Sequence, residues 1–405
     1  MKFDKVTTRL LPLFAAFFLG GVALWVPIEK LFLVEIGFTP QTVGVMAAAY
    51  AALVPLLEVP SGILADRWSR RGVLMIGNLG AFASVLLGGL STNVGTYIAA
   101  AMLLGVYFAM QSGTFDAIVY DTVLEETGSS DRFESVIGRV RLAESAALVL
   151  GALAGGALAA ATEPRVTYFA TLPFLVASTL CLLAFREPVL HQQGESRSLR
   201  EHVSVTARTL RRNPRLLPVA ALLILAGLVT TTLFEFGPLW LVDGDAGAAA
   251  YGPMWAALMA ALGLGGILAG RFRFDTSAAQ AATAVVLLGA GAVLVLVESL
   301  LLVTVAQVLL VALTVTLAIF FTRLLHDGVA SDVRSGVASG VGAATWLVFL
   351  PFALLFGWVS ERWGVHAAGS LLLLAGAAAV PLLLVVTRRG TPTAPEVVVR
   401  EPIAA

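Results

Sequence analysis

Twelve apolar segments separated by short polar turns run along this 405-residue chain. A helix of about 20 apolar residues crosses the hydrocarbon core of a bilayer, so each segment is long enough for one transmembrane helix. Hydrophobic residues make up 58% of the chain and charged residues 13%, whereas soluble domains carry about 25% charged residues. The pattern predicts an all-α membrane protein and excludes an exported enzyme, a receptor with a large ectodomain and a nucleic-acid binder. The segments cover approximately residues 10–34, 42–64, 72–91, 94–119, 136–161, 166–185, 216–242, 250–270, 278–297, 300–322, 335–359 and 365–386.

The segments fall into two sets of six, separated by an arginine-rich gap. We predict an N-terminal six-helix bundle at 1–185, a cytoplasmic linker at 186–215 and a C-terminal six-helix bundle at 216–388. The linker has two alternatives: a short amphipathic helix lying on the anionic inner leaflet, or a solvated basic tether. Residues 389–405 contain three prolines and no apolar periodicity, which predicts a disordered cytoplasmic tail.

The lysines and arginines are concentrated on one side of the predicted membrane. With the N-terminus in the cytoplasm, alternate turns place all 26 Lys and Arg on the cytoplasmic side except Lys30, Arg165 and Arg362. The positive-inside rule predicts such an asymmetry, and one missed or extra span would destroy it. We therefore expect a multi-pass protein of the cell inner (plasma) membrane with both termini in the cytoplasm.

Two copies of one motif lie half a chain apart. Gly62–Trp68 reads GILADRW and Gly266–Phe272 reads GILAGRF, at an offset of 204 residues. The repeat indicates two parallel halves. The first copy continues into Ser69-Arg70-Arg71 and resembles the signature loop of the major facilitator superfamily. Together with the twelve spans, this resemblance covers about residues 5–388. It implies two pseudo-symmetric six-helix bundles that move a small molecule by alternating access.

The signature loop also offers residues for a gate. A carboxylate facing a helix N-terminus, together with guanidinium pairs, forms a latch that can break. By resemblance, Asp66 would face the start of span eleven, with Arg132 as another partner, and Gly62 would let helices approach closely. The alternative is an arginine cluster that only orients the helix. The gating residues are predicted to be Gly62, Asp66, Arg67, Arg70, Arg71, Gly266, Arg271, Asp332 and Arg334.

We single out four acidic residues within the predicted spans: Glu58, Asp116, Glu144 and Glu235. A charge at a helix centre costs about 2.5–3.5 kcal/mol on insertion scales, so each needs a reason. One reason is function: a carboxylate can take up and release a proton as access alternates, which makes all four candidates for proton coupling. The alternative is a buried ion pair or hydrogen bond, and Arg141 offers Glu144 such a partner within one helix.

The segments around Glu58 and Asp116 resemble a bacterial branch of the superfamily whose members are often described as efflux permeases. Two features depart from the superfamily's proton-driven drug antiporters. The run 104–111 lacks the arginine of their fourth span, and 151–156 keeps the glycines but lacks the proline of their fifth span. The resemblance implies efflux in exchange for protons, and these departures leave the coupling open.

By resemblance, spans 1, 4, 7 and 10 would line a central cavity. Besides the acids, these and neighbouring positions supply few polar side chains. Such a lining suits an amphipathic or cationic compound better than a sugar, which needs many hydrogen-bonding groups. The predicted cavity residues are Tyr107, Gln111, Ser112, Tyr120 and Thr231.

Sequence patterns for other chemistry are missing. The lysines are Lys2, Lys5 and Lys30, so no phosphate-binding loop ending in Gly-Lys-Ser/Thr exists. The four histidines and Cys181 form no metal or catalytic pattern. We expect no enzyme activity, cofactor, metal or nucleic-acid partner. We expect a monomer that exports a small drug-like compound in exchange for protons. The alternatives are an importer or uniporter of a metabolite with the same fold, and a membrane scaffold or sensor that does not transport.

Overall fold

The computed structural model describes residues 5–111, 114–129, 132–188, 208, 213–269, 271, 274, 276–329 and 334–388. In these ranges the chain forms helices joined by turns, and no β-strand is present among them. The α-helices are α1 (Lys5–Gly21), α2 (Glu29–Glu35), α3 (Pro40–Arg67), α4 (Arg70–Leu90), α5 (Val94–Gln111), α6 (Thr114–Thr127), α7 (Phe133–Ala161), α8 (Pro164–Ala184), α9 (Leu217–Phe236), α10 (Leu239–Asp243), α11 (Ala248–Ala269), α12 (Ser277–Leu296), α13 (Leu300–Asp327), α14 (Arg334–Trp363) and α15 (Val365–Arg388).

Twelve spans of the described chain are long and apolar enough to cross a membrane, which confirms the predicted number. Lipid offers no hydrogen bonds to the backbone, so the spans satisfy most of their N–H and C=O groups within helices. The first span, Lys5–Glu35, comprises α1 and α2; Val94–Thr127 comprises α5 and α6; and Pro214–Asp243 comprises α9 and α10. The other spans are single helices.

Side-chain caps set the start of several spans. Before α3, the Thr39 hydroxyl accepts the Thr42 N–H and the Thr42 hydroxyl accepts the Thr39 N–H, with Pro40 at the first helical position. Before α4, the Ser69 hydroxyl accepts the Gly72 N–H at 2.9 Å. These bonds satisfy N–H groups that a helix start leaves without a carbonyl partner.

The helices form two packed groups. In the first, α4 packs on α5 and α8, and α1 packs on α7 and α8. In the second, α9 and α11 pack on α13, and α12 packs on α15. We refer to α1–α8 as the N-terminal half and to α9–α15 as the C-terminal half. The bundle boundaries at 185 and 216 remain predictions, because most of the predicted linker and the tail at 389–405 lie outside the described residues.

The two ends of the helices differ in charge. The end at which α1 starts and α3 stops carries Arg9, Arg67, Arg70 and Arg71, and we term it the arginine-rich face. The end at which α3 and α11 start is termed the opposite face. Between the two faces, large apolar side chains point outward. Val285 and Leu374, for example, are 69% and 63% exposed, as expected for residues in contact with lipid.

Near the opposite face the two halves meet backbone to backbone. Where α3 crosses α14, a Cβ on Gly44 would lie 2.6 Å from the Ala353 carbonyl oxygen and 3.1 Å from the Gly357 Cα. Where α7 crosses α11, a Cβ on Gly156 would lie 2.7 Å from the Gly252 Cα. Glycines allow this approach because they carry no side chain. The halves are therefore closed together on this face.

Replacing one of these glycines should destabilise the closed form. A Cβ on Gly252 would lie 2.7 Å from the Ala152 carbonyl oxygen, so Gly252→Ala should lower stability by about 1–3 kcal/mol, the usual cost of overpacking. Gly263→Ala on the same helix is the control, because a Cβ there meets nothing within 4 Å. Thermal unfolding of both purified variants in detergent measures the difference. Equal melting temperatures would contradict the tight contact.

Candidate functional site: a cavity between the halves

A cavity of about 360 Å³ lies between the two halves, within the range of about 300–1,000 Å³ typical of small-molecule sites. Helices of both halves form its wall, including α5 and α7 from the first half and α9 and α11 from the second. Its lining is mostly apolar and rich in aromatic rings. The aromatic residues in the wall are Phe17, Trp25, Tyr50, Tyr107, Phe108, Phe234 and Trp255.

Three carboxylates share this apolar wall. Glu29 and Glu144 come from the N-terminal half, and Glu235 comes from the C-terminal half. Thr231 lies one turn before Glu235 on α9 and also lines the cavity. Carboxylates among aromatic rings form an environment that attracts organic cations, because both the charge and the ring faces are negative.

A lysine joins two of these carboxylates across the boundary between the halves. The Lys30 ammonium donates to Glu29 Oε2 at 2.6 Å and to Glu235 Oε1 at 2.5 Å. Lys30 is only 2% exposed, so its charge depends on these partners. The Tyr50 hydroxyl donates to the second oxygen of Glu235 at 2.9 Å. We term Glu29, Lys30, Glu235 and Tyr50 the charged cluster.

Two tyrosines extend the charged cluster into the N-terminal half. The Tyr97 hydroxyl donates to Glu29 Oε1 at 2.9 Å and lies 2.7 Å from the Tyr168 hydroxyl. Both tyrosines are at most 3% exposed. The Phe32 ring packs against them, with centroid distances of 6.1 Å to Tyr97 and 5.0 Å to Tyr168. Linked hydroxyls polarise one another, which strengthens the hydrogen bond that Glu29 accepts.

The charged cluster exists because the first span breaks before its end. Helix α1 stops at Gly21, and a 3₁₀ turn at Val26–Ile28 leads into α2. This break places Glu29 and Lys30 at the start of a separate short helix that lies inside the bundle. Orientation counting assigns Lys30 to the non-cytoplasmic side; in the structure its side chain lies toward the opposite face but is buried between the halves.

Contacts with α7 and α8 stabilise the break. The Leu24 N–H, which has no helical partner here, donates to the Thr171 hydroxyl on α8 at 3.2 Å. The Leu24 carbonyl lies against Gly155 on α7 so closely that a side chain on Gly155 would have no room. Gly151 and Gly156 also make close backbone contacts, which agrees with the packing role that such glycine-rich spacing favours.

The structure separates the four predicted acids into two groups. Glu144 and Glu235 line the cavity. Glu58 lies on α3 two turns beyond Tyr50, about 12 Å nearer the arginine-rich face at 1.5 Å per residue, and is half-buried outside the cavity wall. Asp116 is exposed in the first turn of α6. Helix period alone could not reveal this separation, because it does not say how far a span extends past the cavity.

The predicted cavity residues divide in a similar way. Tyr107 and Thr231 line the cavity. Gln111 lies in a small neighbouring crevice beside Asn78, and Tyr120 packs against Phe133 at a centroid distance of 5.4 Å. Ser112 lies outside the described residues.

At the arginine-rich face, the signature loop makes contacts within the N-terminal half. Arg70 pairs with Asp121 on α6. Glu187 accepts the Ser69 hydroxyl and the Arg70 N–H, both at 2.6 Å, and Arg71 donates to the Phe185 carbonyl at 3.0 Å. These contacts hold the segment that follows α8 against the signature loop.

The structure describes only some of the other predicted gating residues. Arg67 and Arg271 are exposed at helix ends. A Cβ on Gly62 or on Gly266 would meet nothing within 4 Å in this conformation, so the close approach at Gly62 stays a prediction for a conformation in which this face is closed. Outside the described residues lie the side chain of Asp66, residue Asp332 and the side chain of Arg334.

Sequence reasoning missed Glu29, Lys30, Tyr97 and Tyr168. A signal was available for the first two, since an acid and a base stand side by side inside the apolar segment 10–34. Adjacent opposite charges within a span indicate a buried pair rather than a surface turn. The tyrosines carry no such signal, because span ends commonly contain tyrosine as an interfacial residue.

The sequence of this chain is similar to those of known proteins. Residues 10–341 match the Major Facilitator Superfamily. Multidrug resistance proteins 1 and 2 of Bacillus subtilis (strain 168) are 27% identical over 190 residues and 28% identical over 202 residues. These matches cover 47% and 50% of this chain. The chain spans about half the length of these relatives, 47% and 46% respectively.

Solved structures share the fold at low sequence identity. A bacterial homolog of the human lysosomal transporter Spinster, inward-facing and unoccupied, superposes with a TM-score of 0.76 at 13% identity, covering 95% of this chain and 98% of that one. The nucleoside transporter NupG gives a TM-score of 0.73 at 14% identity, covering 95% and 99%. The resemblance found in the signature loop is thereby confirmed. This chain belongs to the Major Facilitator Superfamily, a family of membrane transporters and not of enzymes.

Proposed function

We propose that this chain is a secondary active transporter that exports small amphipathic or cationic organic compounds in exchange for protons. The observation that carries the proposal is the cavity between the halves, in which three carboxylates face a mostly aromatic and aliphatic wall. The partial similarity to two multidrug resistance proteins supports efflux.

The charges of the cavity favour a cation. Glu29 and Glu235 supply two negative charges when ionised, and Lys30 supplies one positive charge. A bound organic cation would reduce this imbalance, and the stacked rings of Phe234 and Trp255, 5.6 Å apart, offer a flat apolar surface. Sugars and nucleosides would need more hydrogen-bonding side chains than this wall provides.

Export requires that the cavity open to each side of the membrane in turn. We assign the arginine-rich face to the cytoplasm of the plasma membrane on the positive-inside rule. The glycine contacts then hold the external side closed in the conformation described above. Rocking of the halves about the cavity would open that side and close the arginine-rich face.

Proton exchange is assigned to the acids of the cavity. Glu235 is favoured because it is the member of the charged cluster that belongs to the C-terminal half, so its ionisation affects a contact between the halves. Glu144 is favoured as a substrate contact because it lines the cavity, whereas Lys30 donates its hydrogen bonds to Glu29 and Glu235. Glu58 and Asp116 stand outside the wall and are assigned no proton.

Purified protein in liposomes with an acidic interior tests the proposal. We expect ethidium to accumulate inside and the interior pH to rise, because each cation that enters exchanges for protons. A symporting importer would reverse the pH response, and a uniporter would let ethidium equilibrate without one. A scaffold would move none of many compounds, and none would raise its melting temperature. Any of these results would contradict the proposal.

Removing the charge of Glu144 should weaken cation binding. We expect Glu144→Gln to raise the ethidium dissociation constant about tenfold, equal to about 1.4 kcal/mol, in fluorescence titrations. The matched control is Glu298→Gln, since Glu298 is exposed in the turn between α12 and α13. Equal affinities for the two variants would exclude Glu144 as a cation contact.

Glu235 should differ from Glu58 and Asp116 in proton exchange. Glu235→Gln is expected to abolish the pH response that accompanies ethidium transport, whereas Glu58→Gln and Asp116→Asn should keep it. Interior pH dyes in the same liposomes measure the response, after size-exclusion chromatography has verified each folded variant. Loss of the response in Glu58→Gln or Asp116→Asn would transfer the coupling to that residue.

A further inference from the structure

We infer that Lys30 is a tethered cation that occupies the carboxylate of Glu235 in the unloaded transporter, and that a substrate cation or a proton must displace it before the opposite face can open. The inference rests on the proposed function and adds to it the device that stops the unloaded protein from reorienting.

An ion pair between Lys30 and Glu235 joins the two halves. Lys30 belongs to α2 of the N-terminal half and Glu235 to α9 of the C-terminal half, and the Lys30 Nζ lies 2.5 Å from the Glu235 Oε1. Glu235 faces the cavity, so a ligand in the cavity can reach the carboxylate that the ammonium contacts. The other ionisable side chains around this contact are Glu29, Tyr50 and, in the cavity wall, Glu144.

Lys30 has a second partner to retain once it leaves Glu235. Glu29 precedes it in the chain and lies 2.6 Å from the same ammonium. Tyr97 donates to Glu29, and Tyr97 is itself bonded to Tyr168, which keeps this carboxylate in place. Displacement therefore leaves a paired lysine rather than an isolated buried charge, whose cost would otherwise be several kcal/mol.

The charge balance makes the exchange one for one. With both glutamates ionised, Glu29, Lys30 and Glu235 carry a net charge of −1. One monovalent cation beside Glu235, or one proton on its carboxyl oxygen, brings this to zero. Either ligand occupies the Glu235 carboxylate in place of Lys30. The organic cation and the proton therefore compete for one position, and one of them at a time is enough.

The bridge lies toward the same end of the bundle as the glycine contacts. Gln41 on α3 adds a further polar contact there, its N–H donating to Glu361 on α14 at 3.5 Å. A ligand that binds only when the Lys30 bridge is broken favours the state in which these halves separate. The unloaded, deprotonated protein keeps the bridge and stays closed, so protons and substrate cross only in exchange.

Variants at Lys30 test this inference in liposomes. Lys30→Met removes the ammonium, and Lys30→Arg keeps a cation at the position. The double variant Lys30→Met/Glu29→Gln also removes the second acid, so that the fold is not burdened with two unpaired carboxylates. Lys5→Met is the control, since Lys5 is exposed at the start of α1. Size-exclusion chromatography and thermal unfolding verify each protein.

Two quantities are measured: the leak of protons through the protein without substrate, and the affinity for ethidium at a pH where Glu235 is ionised. We expect Lys30→Met, or the double variant if the single one does not fold, to raise both by about fivefold or more, the lower end of typical coupling between linked sites. Lys5→Met should stay close to the wild type, and Lys30→Arg should leak less than Lys30→Met because it keeps a cation at the position.

The outcomes separate the two proposals. Ethidium–proton exchange that remains tight in the folded Lys30 variants, with unchanged affinity, would overturn the tethered cation while the proposed function stands. A wild-type protein that neither binds nor moves ethidium would overturn both. A leak that appears equally in Lys5→Met would also overturn the inference, because it would show that loss of any lysine suffices.

Discussion

A charge in a bilayer must find its partner inside the protein, and in this chain one such partnership spans the boundary between the halves. Lys30 is held by Glu29 from its own helix and by Glu235 from the other half. The backbone break before α2, the hydroxyl of Tyr50 and the linked hydroxyls of Tyr97 and Tyr168 all serve this one contact. Because removing one member would leave an uncompensated charge, the surrounding elements are tied to one arrangement.

The polar contacts of the two faces differ in what they join. On the opposite face, Lys30 and Gln41 connect one half to the other. On the arginine-rich face, the pair of Arg70 and Asp121 and the contacts of Glu187 lie within the N-terminal half. A rigid N-terminal half can then move as a body, with the breakable contacts placed on the side that the described conformation keeps closed.

The fold was predictable from the sequence to the extent that the bilayer dictates it. Span length and hydropathy have a fixed physical basis, so twelve segments could be counted and the repeat of Gly62–Trp68 located. The interior was less predictable. Glu144 and Glu235 were identified as unusual charges, but nothing in the helix period distinguishes them from Glu58 or Asp116, because that depends on where neighbouring helices end. The break after Gly21 depends on a tertiary contact with Gly155 and Thr171, which no local pattern reports.

The charged cluster also makes the two halves unlike each other. The offset of 204 residues that relates the two motif copies makes Phe234 the counterpart of Lys30 and Leu31 the counterpart of Glu235. In a symmetric contact, residue i of one half would meet residue j of the other, and the same pair would form a second time. Phe234 and Leu31 carry no charge, so the bridge between Lys30 and Glu235 has no symmetric copy. The charged link between two halves of similar fold is therefore one-sided, with the cation fixed in one half and its anion in the other.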